Sequence, residues 1–185
     1  MPIRYTIILM KNRFAKLSCL VFFFLVPAVA AAAQEMCELA SKTAPILLNL
    51  QIGMSPEQAR AIFGRDLKIK VKKHGERTFF QNFIKKSPPA SLNGVRALYL
   101  RFFDGELYQI EIFYEARRNF DSLEAITNSL AAQLSFPIAD WQIDNNRARI
   151  KCNEISLVAD NILNPRIELT NETIQAEIEE LRKKK

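Results

Sequence analysis

The sequence predicts an α+β fold, in which an antiparallel sheet of hairpins carries helices packed on one face. Three observations lead to this prediction. Segments with alternating apolar and polar residues follow one another in hairpins and do not alternate with helices. A strong turn dipeptide, Asp104-Gly105, separates the two longest of these segments. Helical patterns with recognisable caps stand before, between and after the strands, so we expect them to cover one side of the sheet.

The first predicted helix begins after Gly53 and ends at Gly64. Ser55 is suited to cap it, because a serine oxygen accepts a hydrogen bond from a free N–H group of the first helical turn. Pro56 follows at the first helical position, where its missing N–H costs nothing, and Gln58 completes a capping box. Glycine at position 64 ends the helix, because it adopts the left-handed conformation that a helix C-terminus often needs.

Strand patterns fill the middle and much of the second half of the chain. They are bounded by turn residues, which include His74-Gly75, Asp104-Gly105 and the asparagines near positions 145 and 153. The predicted strands are residues 67–71, 78–84, 95–103, 106–115, 141–143, 148–152, 155–159 and 166–169.

The central hairpin also predicts which side chains share a face. A three-residue loop with Gly105 in the left-handed region sets residues 98, 100 and 102 opposite 108, 110 and 112, which keeps one face apolar. A two-residue loop would set them opposite 107, 109 and 111, so we predict the three-residue loop. The opposite face is then partly exposed and provides a candidate binding surface. Its residues are Tyr99, Arg101, Phe103, Gln109, Glu111 and Phe113.

Two further helices are predicted. Asp121 and Glu124 form a capping box at the start of a helix over residues 121–134. Its apolar stripe is Leu123, Ile126, Leu130 and Leu134. The last helix, over residues 172–181, has acidic residues early and basic residues late, as the helix dipole favours. Its expected buried residues are Ile174, Ile178 and Leu181.

The first 33 residues are typical of a secretory signal peptide. Lys11, Arg13 and Lys16 precede an apolar run at residues 17–29, and a cluster of alanines follows before Gln34. We predict cleavage before Gln34, whichever of the two early methionines starts the chain. The alternative is an uncleaved membrane anchor, for which the apolar run is short.

The predicted signal peptide determines where the protein is expected to work and which residues form its mature domain. Residues 34–185 are predicted to form a single α+β domain that is periplasmic or secreted, and that meets a membrane only through its signal peptide. The whole chain has 26 lysines and arginines against 20 acidic residues, but removal of the signal peptide leaves 22 against 20. This balance does not indicate nucleic-acid binding, which we do not expect. The lysine-rich C-terminus is expected to be a solvated end.

The mature part contains two cysteines, Cys37 and Cys152. In an exported protein two cysteines most often pair, so a disulfide between Cys37 and Cys152 is predicted. A reactive thiol is the other possible role, but no histidine lies near either cysteine in the sequence.

The segment from Ile52 to Gly64 resembles the small envelope proteins of the outer-membrane lipoprotein A family, which share the β-lactamase-inhibitor-protein-like fold. Gly53-Met54-Ser55 matches the start of that pattern, and a short helix, a glycine and antiparallel strands follow. The chain lacks the lipidated cysteine of that family and the proline often found after the glycine. The resemblance implies a role in interaction and not in catalysis, and it assigns no functional residue.

No catalytic or metal-binding motif stands out in the sequence. The one histidine, His74, lies in a charged turn, and P-loop, G-x-S-x-G and H-E-x-x-H patterns are absent. We therefore predict no enzyme activity and no cofactor, and a domain that binds another envelope or extracellular protein. The alternatives are a small exported hydrolase that uses Glu111 and Glu115, and a cavity for a small apolar ligand.

Overall fold

Eight strands form one antiparallel sheet in the computed structural model, which describes residues 44–63, 68–83, 92–115, 120–134 and 141–184. The strands are β1 Ile69–Val71, β2 Arg77–Asn82, β3 Val95–Phe103, β4 Glu106–Tyr114, β5 Gln142–Asp144, β6 Arg147–Cys152, β7 Ile155–Asp160 and β8 Arg166–Asn171. The helices of these described ranges are α1 Pro56–Phe63, α2 Leu123–Leu134 and α3 Glu172–Lys183. The predicted α+β class with an antiparallel sheet is confirmed.

Each half of the sheet is a four-strand meander preceded by a helix. Helix α1 precedes strands β1 to β4, and α2 precedes β5 to β8. Across the sheet the strands lie in the order β1-β2-β3-β4-β8-β7-β6-β5. The halves therefore join where β4 pairs with β8, the last strand of each meander. All these elements belong to one compact unit, Cys37–Lys185.

The main core lies on one face of the sheet. Every second residue of the central strands points into it, as the two-residue period of a strand requires. These side chains include Leu98, Leu100, Phe102, Ile110, Ile112, Ile167 and Leu169. Helix α1 contributes Ala59 to this core, and α2 contributes Ile126 and Leu130 and contacts β6 and β7. The buried stripe predicted for α2 is thus confirmed at its centre.

The third helix packs on the opposite face. Phe103 follows Phe102 on β3, so the two rings point to opposite sides of the sheet. Phe102 is in the main core, whereas Phe103 joins Tyr108 and Ile178 of α3 in a separate apolar cluster. Helix α3 also contacts the 3₁₀ turn Lys73–Gly75. The prediction that the helices pack on one face is not confirmed, because an apolar patch on the other face provides a packing site for α3.

The central hairpin has a shorter loop than predicted. Phe103 pairs with Glu106, so Asp104 and Gly105 form a two-residue turn with φ values of 51° and 84°. Positive φ at both positions is typical of a type I′ turn. The register then shifts, with Tyr108 as the extra residue of a β-bulge. The predicted three-residue loop is wrong, but the bulge still sets residues 98 and 100 opposite 112 and 110, as predicted.

The caps of α1 and α2 are made by serines. The predicted capping box is confirmed, since Ser55 N–H donates to Gln58 Oε1 at 2.7 Å and Gln58 N–H donates to Ser55 Oγ at 3.2 Å. The predicted cap at Asp121 is wrong. Ser122 caps α2, because its Oγ accepts a hydrogen bond from Ala125 N–H at 3.1 Å.

Helix α3 has the predicted amphipathic form. The Asn171 side chain caps it, accepting hydrogen bonds from Thr173 N–H at 3.0 Å and Ile174 N–H at 3.1 Å. Ile178 is buried, and Ile174 and Leu181 pack beside it. The predicted apolar stripe is therefore confirmed, although it packs on a face that was not predicted.

The predicted signal peptide, the cleavage point before Gln34, the helix stop at Gly64 and Cys37 lie outside the described residues. Cys152, the last residue of β6, is buried and disulfide-bonded. Its pairing with Cys37 stays a prediction. In the part of the chain that the structure describes, none of the helices combines the length and the apolar character that crossing a membrane requires.

Candidate binding face

The face of the sheet opposite the main core, called the second face below, carries most of the polar side chains of the strands. The register arranges these side chains in three rows that cross the strands. The first row is Lys70, Thr78, Arg101, Gln109, Thr170, Ser156 and Lys151. The second is Phe80, Tyr99, Glu111, Glu168, Val158 and Arg149. The third is Ala97, Phe113, Arg166, Asp160 and Arg147.

An aromatic cluster, made of Phe80, Tyr99 and Arg101, lies on β2 and β3. The Phe80 and Tyr99 ring centroids are 5.4 Å apart with an interplanar angle of 47°. The Arg101 guanidinium carbon lies 5.1 Å from the Tyr99 ring centroid, which is a cation–π distance. Phe80 is 53% exposed, although it is a large apolar residue on a strand. This part of the second face thus presents a ring to solvent on a rigid support.

An ion-pair cluster lies at the centre of the second face, around Arg166. The guanidinium donates from Nε to Asp160 Oδ2 at 2.8 Å and from Nη1 to Glu111 Oε1 at 2.8 Å. Nη1 is also 3.3 Å from Glu168 Oε2. The carboxylates are only 9% to 22% exposed, and Glu111 and Glu168 pair directly across β4 and β8. Like charges in such a pair repel each other, so Arg166 is needed to compensate them.

The protonation of Arg166 reflects these contacts. Burial by itself would lower its pKa, but the hydrogen bonds to Glu111 and Asp160 outweigh that effect and hold the pKa above its usual value. Gln109 extends the cluster, because its Nε2 donates to Glu168 Oε1 at 2.8 Å and to Thr170 Oγ1 at 3.1 Å. The cluster therefore holds the charged guanidinium of Arg166 in a network of hydrogen bonds at the centre of the sheet.

A second carboxylate site lies under α3. Glu76 is 3% exposed, and its two oxygens accept hydrogen bonds from Tyr108 Oη at 3.0 Å and Arg182 Nη2 at 2.8 Å. Burial by itself would raise the pKa of Glu76, but these two hydrogen bonds lower it below its usual value. Burial, and then the charge and hydrogen bond of Glu76, raise the pKa of Tyr108 to about 12. The contacts fasten the C-terminal end of α3 to the sheet.

The N-terminal end of α3 is fastened by a second set of contacts. Glu172 accepts a hydrogen bond from Arg149 Nη2 at 2.9 Å and another from the hydroxyl of Ser156. Arg149 has a neighbour on the same strand, Arg147, whose Nη2 atom lies 3.9 Å from Asp160 Oδ2. The two arginines of β6 are therefore already paired with carboxylates of the same chain.

The six predicted binding residues all belong to this face, but they differ in exposure. Tyr99, Arg101 and Phe113 are half-buried, with part of each side chain reaching solvent. Glu111 is engaged by Arg166, and Gln109 is buried. Phe103 is buried beneath α3, as described above. Of these six side chains, Tyr99, Arg101 and Phe113 are therefore the ones with the clearest access to solvent. Their role in binding stays a prediction.

Two residues of this face were missed by the sequence reasoning. The sequence does contain an indication that Phe80 is exposed, because Phe80 follows Phe79 on one strand and only one of two adjacent residues can face the core. Glu76 had no such signal, since it stands in a charged turn sequence beside His74, and its partner Arg182 is 106 positions away.

The two carboxylates considered for a hydrolase, Glu111 and Glu115, lie in different surroundings. Glu111 Oε1 accepts a hydrogen bond from Arg166 Nη1 at 2.8 Å. Glu115 follows the end of β4, where its N–H donates to the Gly94 carbonyl at 2.9 Å. His74 is in the 3₁₀ turn with a φ of 62°. Over the same described ranges, no group of three or more histidine, cysteine or acidic side chains is placed to hold a metal ion.

Comparison with known proteins does not assign the chain to a group. No family model, no curated protein and no solved structure matches it. The resemblance to the outer-membrane lipoprotein A family stays a prediction.

Proposed function

We propose that this chain is an exported, non-enzymatic binding domain, and that its second face binds another envelope or extracellular protein. The observation that carries this proposal is the aromatic cluster, in which the 53% exposed ring of Phe80 lies beside Tyr99 and Arg101. Aromatic residues and arginine are the types most enriched where proteins bind each other strongly. Export is supported by the signal-peptide pattern of the first 33 residues.

The cluster suits binding because it loses little freedom when a partner covers it. Phe80 and Tyr99 are held by neighbouring strands, and Arg101 lies over the Tyr99 ring. Burial of a phenylalanine side chain contributes about 1.5–3 kcal/mol in full, so the exposed half of Phe80 offers roughly 1 kcal/mol or more to a partner. The ion-pair cluster adjoins it, because Glu111 pairs with Tyr99 across β3 and β4, and Ile178 of α3 packs on Phe103 at the end of β3.

Photo-crosslinking tests this proposal. A benzoylphenylalanine placed at Phe80 in the exported protein should give one defined protein adduct on irradiation in cells, and excess purified wild-type protein should compete it away. Ile143 on β5 is a matched control, because it is also apolar and exposed but lies at the far edge of the sheet. Adducts of equal yield at Phe80 and Ile143, or none at Phe80, Tyr99 and Phe113, would contradict the proposal.

A further inference from the structure

Positive charge is concentrated in one part of the described chain. Residues 68–83 and 92–103, which contain β1, β2 and β3, carry seven lysines and arginines and one acidic residue, Glu76. Glu76 is buried and already hydrogen-bonded to Arg182 and Tyr108. This part of the sheet therefore presents an excess of positive charge that its own carboxylate does not neutralise.

Part of this charge lies on strand β1, next to the strand that carries Phe80. Lys70 is exposed and stands in the first row with Arg101, one strand beyond Thr78. Lys68, two residues before Lys70, is exposed as well. Among the described residues, none of Lys68, Lys70 and Arg101 has a carboxylate within 4.0 Å. The Nε atom of Arg101 is buried and donates no hydrogen bond within the described part of the chain.

Strand β6, on the other side of the same face and next to the edge strand β5, provides the contrast. Arg147 and Arg149 on β6 are exposed, but they pair with Asp160 at 3.9 Å and Glu172 at 2.9 Å. Their charges are already compensated within the chain. Among the described residues of the second face, only the β1–β3 part combines uncompensated cations with an exposed aromatic ring.

We propose that the segment of the partner protein that contacts this face is acidic, with carboxylates on either side of an aromatic or aliphatic residue. This inference rests on the proposed function and specifies the partner's chemistry. The apolar residue packs on Phe80, and the carboxylates pair with Lys70 and Arg101. Strands lie about 4.8 Å apart, so these two cations on β1 and β3 are roughly 10 Å apart. In an extended peptide, carboxylates two residues before and two residues after the apolar residue lie on the same side of the peptide as that residue. They are about 13 Å apart, a distance that the long side chains of Lys70 and Arg101 can reach.

A nucleic acid would also bring negative charge, but the aromatic cluster fits it less well. Single-stranded nucleic acids bind through rings on which successive bases can stack. Tyr99 has Phe80 on one side and the Arg101 guanidinium over its ring, so Phe80 is the exposed ring of this cluster. A single exposed ring flanked by cations matches one apolar side chain between two carboxylates.

Fluorescence anisotropy with the purified protein and a labelled peptide tests the inference. The probe is a short peptide in which glutamates flank phenylalanine, and the control peptide has glutamine in place of each glutamate. We expect binding of the glutamate peptide only, with an affinity that falls as salt is added. Lys70→Gln and Arg101→Gln should each lower the affinity by about two- to fivefold, as exposed ion pairs do. Phe80→Ala should lower it by roughly tenfold.

Lys151→Gln is the matched control variant, because Lys151 is exposed and lies in the first row at the opposite edge of the sheet. It should leave the affinity unchanged, and circular dichroism should show that every variant is folded. Equal binding of the glutamine peptide would overturn the inference that the partner segment is acidic, but it would still agree with the proposal that the chain is a binding domain. Tighter binding of an oligothymidylate or of phosphatidylglycerol vesicles, lost in the same variants, would overturn the choice of a protein partner. No peptide binding, together with no adduct at Phe80, would reject the proposed function itself.

Discussion

Replacement of Arg166 by methionine is the strongest perturbation of the second face. Methionine keeps much of the length of the side chain and removes the guanidinium that bonds Asp160 and Glu111 at 2.8 Å each. Three carboxylates, none of them more than 22% exposed, then lack their shared cation. Breaking a buried ion pair costs about 3–5 kcal/mol. Because these groups keep some contact with water, we expect the free energy of unfolding to fall by about 2–4 kcal/mol.

Urea unfolding at neutral pH, followed by circular dichroism, measures this loss. A double-mutant cycle with Glu111→Gln should show coupling, since removing one repelling carboxylate should recover about 1–2 kcal/mol in the Arg166→Met background. Arg149→Met is the control, because its partner Glu172 is 30% exposed and the pair should contribute less than about 1 kcal/mol. A loss below about 1 kcal/mol for Arg166→Met, or strict additivity in the cycle, would refute the argument that Arg166 holds the carboxylates together.

Three further predictions concern pH and backbone geometry. The pKa of Glu76 is lowered in the folded state, so its contribution to stability is present above the ordinary glutamate pKa of 4.5 and is lost as pH falls through the folded pKa. Glu76→Gln should therefore lower the free energy of unfolding in urea by about 1–2 kcal/mol at pH 7, and this difference from the wild type should vanish in acid. A difference that stays constant with pH would contradict the stabilising role of the Glu76 carboxylate. The pKa values of Tyr108 and Tyr114 are raised to about 12, so the stabilising effect of the neutral phenols is complete below pH 10 and is lost as pH rises through about 12. An absorbance titration should show late-ionising tyrosines whose ionisation accompanies unfolding, and ionisation of all tyrosines near pH 10 would count against the burial argument. Gly105→Ala should lower thermal stability by an amount equivalent to about 1 kcal/mol, because the φ angle of residue 105 is 84°, in the left-handed region that alanine disfavours. The loss comes from this backbone strain and not from a clash, since no atom lies within 4 Å of the added carbon. An unchanged melting temperature would show that the turn relaxes.

Interactions whose two partners are close in the chain could be predicted from the sequence. The capping box of Ser55 and Gln58 spans three residues, and the hydrogen bonds form as predicted. Strand β3 has the predicted bounds, Val95–Phe103, because Asp104 and Gly105 mark its end. The residues of the second face on β3 and β4 were also predicted, since the two-residue period of a strand follows from local geometry.

The errors arise where distant residues decide the outcome. The bulge at Tyr108 compensates for the short turn, and no local pattern distinguishes it from the longer loop that was predicted. Helix α3 covers Phe103 because Ile178 reaches the same apolar patch from a much later part of the chain. The buried Glu76 depends on Arg182. A single sequence shows the amphipathic stripe of α3 but not the face of the sheet that accepts it.

The centre of the sheet closes only after its last strand has been synthesised. Gln109 on β4 and Thr170 on β8 are 61 positions apart, which corresponds to about 3–12 s of translation. Until β8 arrives, the first meander ends in an unpaired edge at β4, and the entropy of closing so long a loop opposes early pairing. The nascent chain therefore stays incompletely folded until β8 is available, and during that interval the polar backbone groups along the β4 edge are open to pairing with other strands.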